Sequence, residues 1–239
     1  MTDAALIAAQ RKLIAPLLTT SLRDAVAHYF ALEHDPARTR LTLIYEAPGQ
    51  PAAFVAVCQT GIDLFRPMVV FRGKDESATL EALRQGLQRP RAYLFSALPE
   101  QRAALTRVAE VHNDAVNAIF ALSPADFRPV INVLVQTTRT PEGLFRATIR
   151  ASDGSLAAEA GISWMSSRYA EVFVHVAERF RGRGLGKSVV SAVSTHVLEA
   201  GRTPLYLTAL SNVASVRLAE SLGYRNTGQE EWSGTCTVL

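Results

Sequence analysis

Eight residues, Arg181-Gly182-Arg183-Gly184-Leu185-Gly186-Lys187-Ser188, put three glycines and three cations on one short stretch of chain. They follow a β-like run, Glu171-Val172-Phe173-Val174-His175-Val176, and they open a helical pattern from Lys187 to Ala200. A strand, a glycine-rich turn and a helix start together make an anion cradle. Glycines let the backbone approach a ligand closely, and the N–H groups of the first helical turn lack intrahelical partners and point at it. Arg181, Arg183 and Lys187 add positive charge. The ligand such a cradle serves is a phosphate or pyrophosphate.

Spacing separates the possible phosphate motifs. A P-loop needs Gly, four residues, then Gly-Lys-Ser/Thr. Gly186-Lys187-Ser188 supplies the end, but Arg181 stands at the first glycine. A dinucleotide fingerprint needs Gly-x-Gly-x-x-Gly; Gly182 and Gly184 fit, and Lys187 stands at the third glycine. Each pattern fails by one residue. Arg/Gln-x-x-Gly-x-Gly fits fully, with Arg181, Gly184 and Gly186. Downstream come a strand pattern, Thr203-Pro204-Leu205-Tyr206-Leu207-Thr208, and the run from Asn212 to Leu222-Gly223-Tyr224. Loop, strand and Asn-helix-Leu-Gly-Tyr, in this order, resemble the acyl-CoA-binding half of the GNAT N-acetyltransferase superfamily. The resemblance covers roughly residues 128–239.

That resemblance implies a co-substrate, acetyl-CoA or another acyl-CoA, and transfer of its acyl group to an amine by direct attack. It implies two central parallel strands, 170–176 and 204–209, that splay apart around the pantetheine arm. The arm's amides would pair with backbone around Val174 and Val176, and a backbone N–H near Val176 would be the oxyanion donor. The pyrophosphate would take the N–H groups across Arg181, Gly182, Arg183, Gly184, Leu185, Gly186 and Lys187. Asn212 would contact the cofactor through its amide, although Asn before a helix is also a good N-cap. Ser215 would face the thioester end, or be an ordinary helix-surface serine. Many family members carry a tyrosine four residues before the Gly of Leu-Gly-Phe/Tyr to protonate the leaving thiolate; here that position is Ala219.

Acyl transfer to an amine also needs a base. Glu171 and His175 share one face of a regular strand, because side chains alternate, and either could accept the proton directly or through water. Their plainer readings are a solvated strand-end carboxylate and a packed core histidine. Three classes of function follow: an acyl-CoA-dependent N-acyltransferase, a non-catalytic acyl-CoA-binding module, and a nucleotide phosphohydrolase built on Gly186-Lys187-Ser188. The acceptor, a small-molecule amine or a protein amine, is not encoded in the motifs, and monomer and homodimer are both open.

The elements that must position these residues follow from periodicity. The chain has 239 residues, enough for one large domain or two small ones, and 48% of them are apolar. A net charge of +3 is too mild to argue for nucleic acid. No apolar run reaches membrane-spanning length, and the N-terminus does not read as a signal peptide. Cys58 and Cys236 are far apart and lack metal-ligand spacing, so reduced thiols, no metal and a cytoplasmic location are expected. Residues 4–33 read as helical with a break at Pro16. Strands are predicted at 41–46, 52–59 and 66–71, a helix at 78–87, a strand at 91–96 and a helix at 100–111, with helical character continuing through 112–129. A strand at 130–136, a hairpin of 144–151 with 156–163, the strand at 170–176, a helix at 187–200, a strand at 204–209, a helix at 212–222 and a final strand pair within 224–238 complete the pattern. Strand-strand-strand-helix-strand-helix therefore appears twice. The expected fold is α/β (α+β), a GNAT-like mixed central sheet flanked by helices, in two tandem lobes: residues 1–125, degenerate and without a phosphate loop, and residues 126–239, the acyl-CoA-binding catalytic domain.

Overall fold

Pro16 breaks the N-terminal helical run, as its missing N–H and fixed φ require. In the computed structural model, which describes residues 3–61 and 63–238, α1 spans Asp3–Ile14 and a 3-10 turn covers Ala15–Leu17. The short α2 (Ala25–His28) runs on into a π-helical turn, Tyr29–Glu33. Then the predicted succession occurs twice. The first round is β1 (Thr39–Ala47), β2 (Gln50–Cys58), β3 (Met68–Gly73), α3 (Glu76–Gly86), β4 (Arg91–Ala97) and α4 (Arg102–Thr106), closed by a long strand, β5 (Glu110–Ala121). After an edge strand, β6 (Gln136–Arg139), the second round is β7 (Phe145–Arg150), β8 (Leu156–Met165), β9 (Tyr169–Val176), α5 (Leu185–Glu199), β10 (Thr203–Thr208) and α6 (Val213–Ser221), closed by β11 (Arg225–Val238).

The chain forms two compact units, Met1–Asn117 with Glu230–Leu239, and Ala118–Gln229. The expected division at 125/126 is therefore displaced: the chain changes unit inside β5 and returns inside β11. In the first unit β1, β2 and β3 pair antiparallel, β4 runs parallel to β3, and β11 pairs antiparallel with β4 from Trp232↔Ala97 to Val238↔Arg91. Every residue of β2 from Pro51 to Cys58 is buried, as expected of a strand covered on both faces. Ala53, Val55 and Val57 pack with Leu80 and Leu83 of α3, and on the alternate set the Cys58 thiol donates to the Phe30 carbonyl at 3.2 Å. In the second unit the order is β5-β10-β9-β8-β7-β6, antiparallel except for β9 with β10. Val189, Val190, Val193 and Val197 form one face of α5 and bury it against Ala170 and Val172 of β9 and Ala158, Ala160 and Ile162 of β8.

Four sequence expectations are corrected. Residues 110–121 are strand, and the predicted helix at 100–111 is confined to a 3-10 turn and the short α4. Val111, Ala115 and Ile119 repeat at helical spacing, but pairing decides the outcome: Ala118–Ala121 align with Leu205–Thr208 of β10, and Phe120 enters the core. Residues 130–135 are not a strand; they pass over α5, with the Val130 N–H donating to Ser191 Oγ at 2.8 Å and Asn132 Nδ2 to Ser188 Oγ at 3.2 Å. Ile131 and Val133 are each 94% exposed there. The expected final strand pair is one strand, β11. The segment taken as the junction is held in place: the Leu122 N–H donates to the Pro204 carbonyl, the Arg128 N–H to the Leu222 carbonyl, and Arg225 pairs with Asp126. Gly223 makes this possible. Its φ is +98°, and a Cβ there would collide with the Asp126 carbonyl.

Glu231 sits buried in β11, and its Oε2 has no hydrogen-bond partner. Burial pushes its carboxyl up to about 6, against the Ser96 hydroxyl and the Arg72 charge. A folded-state value above the unfolded one means stability that is full at low pH and falls as pH rises through about 6. Glu231→Gln should therefore gain about 2 kcal/mol near pH 7 and nothing near pH 4. Urea denaturation of both proteins at the two pH values checks this; an equal gain at both would mean the carboxyl does not titrate in this window.

Candidate functional site

Strand β9 ends at Val176, and a 3-10 turn over Glu178–Phe180 leads into the glycine loop. Gly182 and Gly184 hold φ of +76° and +74°, a region that costs an L-residue roughly 1–2 kcal/mol. Gly184 is the N-cap of α5, which starts at Leu185, two residues before the expected position. The Ser188 N–H donates to the Gly184 carbonyl at 3.2 Å, so Leu185, Gly186 and Lys187 are the first-turn residues whose N–H groups have no partner inside the helix. Gly186 is buried for a packing reason: a Cβ would lie 3.0 Å from both Val176 Cγ2 and Leu218 Cδ1. The helix start thus rests directly on β9 and α6. The flanking cations are braced. Arg179 and Arg183 lie over the Phe180 ring at 4.7 and 5.5 Å, and Arg179 bonds Asp153 at 3.0 Å in the β7–β8 turn. Arg181 Nε reaches the Val176 carbonyl at 3.4 Å.

Parallel pairing of β9 with β10 covers three residue pairs, Thr203↔Tyr169, Pro204↔Ala170 and Leu205↔Glu171. Both strands then continue, β9 to Val176 and β10 to Thr208. Beyond this fork lies a cavity of about 570 Å³. Its lining contains Val174, Val176, all seven residues from Arg181 to Lys187, Asn212 and Ser215. These are the residues named from the sequence as a cofactor-binding set, and the fold brings them to one cavity. His175 also lines it, and Phe180, Tyr206, Ala214 and Leu218 complete the wall.

Asn212 caps α6, its Oδ1 accepting from the Ser215 N–H at 3.2 Å. Ser215 is half-buried, and its Oγ lies 2.8 Å from Tyr206 Oη. Tyr206 is the residue that motif reading missed. Its importance depends on where β9–β10 pairing stops, which no local pattern records. Burial raises its pKa, opposed by the bond to Ser215. The Tyr224 ring meets Tyr206 edge-on with centroids 5.7 Å apart, and its hydroxyl bonds Ser194 Oγ at 2.7 Å. Ala219 is fully buried in the core and carries no hydroxyl.

Glu171 and His175 lie on one face of β9, because the β8–β9 register is unbroken from Val172 to Val176 and its irregularity falls in β8 after Ile162. His175 is exposed, which corrects the packed-core reading. Glu171 is half-buried and is the last β9 residue paired to β10, but it does not line the cavity. Between them on that face, the Phe173 ring carries the Arg146 guanidinium at 4.5 Å, and Arg146 reaches Glu159 at 3.7 Å.

The corresponding β3–α3 turn of the first unit, Gly73-Lys74-Asp75, is built differently. Asp75 caps α3, its Oδ1 accepting from the Ala78 N–H at 2.8 Å. Lys74 pairs with Glu46, and Arg72 turns inward to Asp24 at 2.7 Å. The chain's own carboxylates take the places where a phosphate would need free donors.

Comparisons with known proteins agree with this geometry. Residues 152–233 match the family described as FR47-like protein. No curated protein matches the sequence significantly. The fold is that of the GNAT acetyltransferases. A GCN5-related N-acetyltransferase from Kribbella flavida aligns with 92% of this chain and 96% of its own, at TM-score 0.61 and 14% identity. A tandem GNAT protein from the clavulanic acid biosynthesis pathway aligns over 99% and 95%, at TM-score 0.60 and 14% identity. A putative GNAT-family acetyltransferase from Novosphingobium aromaticivorans aligns over 77% and 88%, at TM-score 0.60 and 18% identity. Among the described residues, no helix is long and apolar enough to cross a membrane.

Proposed function

We propose that this chain is an acyl-CoA-dependent N-acyltransferase that transfers acetyl from acetyl-CoA to a primary amine by direct attack, with the second unit holding the co-substrate and the first, in the manner of a degenerate lobe, holding none. The observation that carries the reading is the positive-φ glycine loop at the start of α5, opening onto a cavity that reaches the β9–β10 fork. In this reading the N–H groups of Arg181–Lys187 hold the pyrophosphate, and the backbone at Val174 and Val176 pairs with the pantetheine amides. A main-chain N–H near Val176 stabilises the oxyanion. Glu171 takes the amine proton, with His175 as the other candidate on that face. The location follows as cytoplasmic, where acyl-CoA is made and two unpaired thiols persist.

The test is thiol release from acetyl-CoA across a panel of small amines and peptide N-termini. Glu171→Gln should lower kcat by about a hundredfold or more while leaving CoA affinity unchanged. An unaltered rate would move the base to His175. A second reading, a non-catalytic acyl-CoA-binding module, is favoured by one observation, the buried Ala219 in place of a hydroxyl-bearing residue. Tight CoA binding with no thiol release for any amine would select it.

A further inference from the structure

Two hydroxyls stand at the inner end of the cavity, and the phosphate loop does not account for them. Pairing of β9 with β10 ends at Leu205↔Glu171, so Tyr206 is the first β10 residue past the fork. Among the described lining residues, Tyr206 and Ser215 are the only ones that carry a hydroxyl. Tyr206 is 2% exposed, braced by the Tyr224 ring, with its Oη 2.8 Å from Ser215 Oγ. Ser215 is fixed in turn by its N–H bond to Asn212. Ala214 and Leu218, one and three residues from it on α6, are its apolar neighbours in the cavity lining. From Val176, beside the loop, to Val172, beside the fork, β9 runs about 13 Å. An extended arm anchored by its phosphate at the loop and lying along β9 brings its far end to these hydroxyls.

Acyl transfer from a thioester leaves a thiolate, and a hydrogen-bond donor aimed at developing charge in a dry site lowers the barrier. Resting on the acyl-CoA reading above, we propose that Ser215 is the donor to the departing sulfur, and that Tyr206 positions the Ser215 hydroxyl and resupplies its proton. The amine nitrogen bonds to the acyl carbon. The C–S bond then breaks with its electron pair on sulfur. Sulfur takes the Ser215 proton and Ser215 takes the Tyr206 proton. The base on β9 takes the proton the nitrogen gives up and returns it through solvent to the phenolate, so the products are amide and free thiol with no net change in protons. Burial keeps the Tyr206 phenol protonated across the neutral range, which is the state a donor needs.

The pair can be tested without knowing the acceptor. The ultraviolet absorbance of the thiolate in bound CoA is followed against pH, with the desulfo-CoA complex as reference, in wild type, Tyr206→Phe and Ser215→Ala. Wild type should hold the bound thiol's titration below that of free CoA. Each substitution should return it toward the free value, with at least about tenfold less thiolate at a fixed pH. Desulfo-CoA should bind all three proteins with equal affinity, which excludes a general loss of fold. Identical titrations in the three proteins would overturn the donor assignment. A shift with Ser215→Ala and none with Tyr206→Phe would overturn the part given to Tyr206. A wild type that binds neither CoA nor desulfo-CoA would instead overturn the acyl-CoA reading itself.

Discussion

Gly184→Glu is expected to abolish measurable CoA binding while the second unit stays folded. Two effects combine. At φ +74° any Cβ is strained, by roughly 1–2 kcal/mol, so the N-cap turn tends to reopen and the first-turn N–H groups of α5 lose their convergence. The carboxylate then places negative charge where the pyrophosphate would sit, at the positive end of the helix. Together these should weaken binding by at least about a hundredfold, close to 3 kcal/mol. No atom lies within 4 Å of a Cβ at this position, so the core is untouched and the thermal transition should fall by only a few degrees. Gly184→Ala, which has the strain without the charge, should lie between. Isothermal titration with CoA measures all three; an affinity within about threefold of wild type for the glutamate variant would remove this loop from the binding site.

The largest expected effect on stability lies in the first unit. Asp24 and Arg72 form an ion pair at 2.7 Å with side chains 4% and 5% exposed. The pair is well furnished: Asp24 Oδ2 accepts from the Thr19 hydroxyl and N–H, and Arg72 donates to the Phe71 carbonyl at 2.7 Å. Asp24→Ala leaves the guanidinium buried without its counter-charge, a loss of about 3–5 kcal/mol. Replacing both partners, Asp24→Leu with Arg72→Met, should recover most of that loss, because burying two charges is itself costly. Burial pushes the Asp24 carboxyl up, but the Arg72 charge and the Thr19 and Arg72 hydrogen bonds pull it down further, to a net lowering. Its stabilisation is therefore complete above the ordinary aspartate range and is lost as pH falls through the depressed folded value. Denaturant titration of wild type, single and double variants decides the matter. A single variant within about 1 kcal/mol of wild type would mean the pair is hydrated.

The phosphate loop was legible because its signal is local. Glycines at positive φ, the β-branched run before them and the valine stripe after them are each set by residues close in sequence. The same holds for most strands and for α5 and α6. What escaped depends on distant partners. Val111, Ala115 and Ile119 suit a helix or a strand equally, and β10, far along the chain, settles the choice. Val130–Val135 has strand composition, yet the Val130 N–H and the Asn132 side-chain amide turn to serines of α5, and the Leu134 and Val135 N–H groups bond back to Asn132. Tyr206 reads as any core aromatic until the fork between β9 and β10 is located. Asn212 was read both as a cap and as a cofactor contact; the capping bond is present, and the residue lines the cavity as well.

The return of β11 to the first unit sets an order of assembly. Trp232 pairs with Ala97, and its ring lies tilted against Phe95 with centroids 4.5 Å apart, so this part of the first unit's sheet needs residues synthesised after the whole of the second unit. Of the two units, the one begun first is thus completed second. Until β11 has been made, β4 has an open edge of the kind that invites pairing with other chains. Synthesis of β11, rather than emergence of the N-terminal region, should mark the moment at which the first unit becomes resistant to protease.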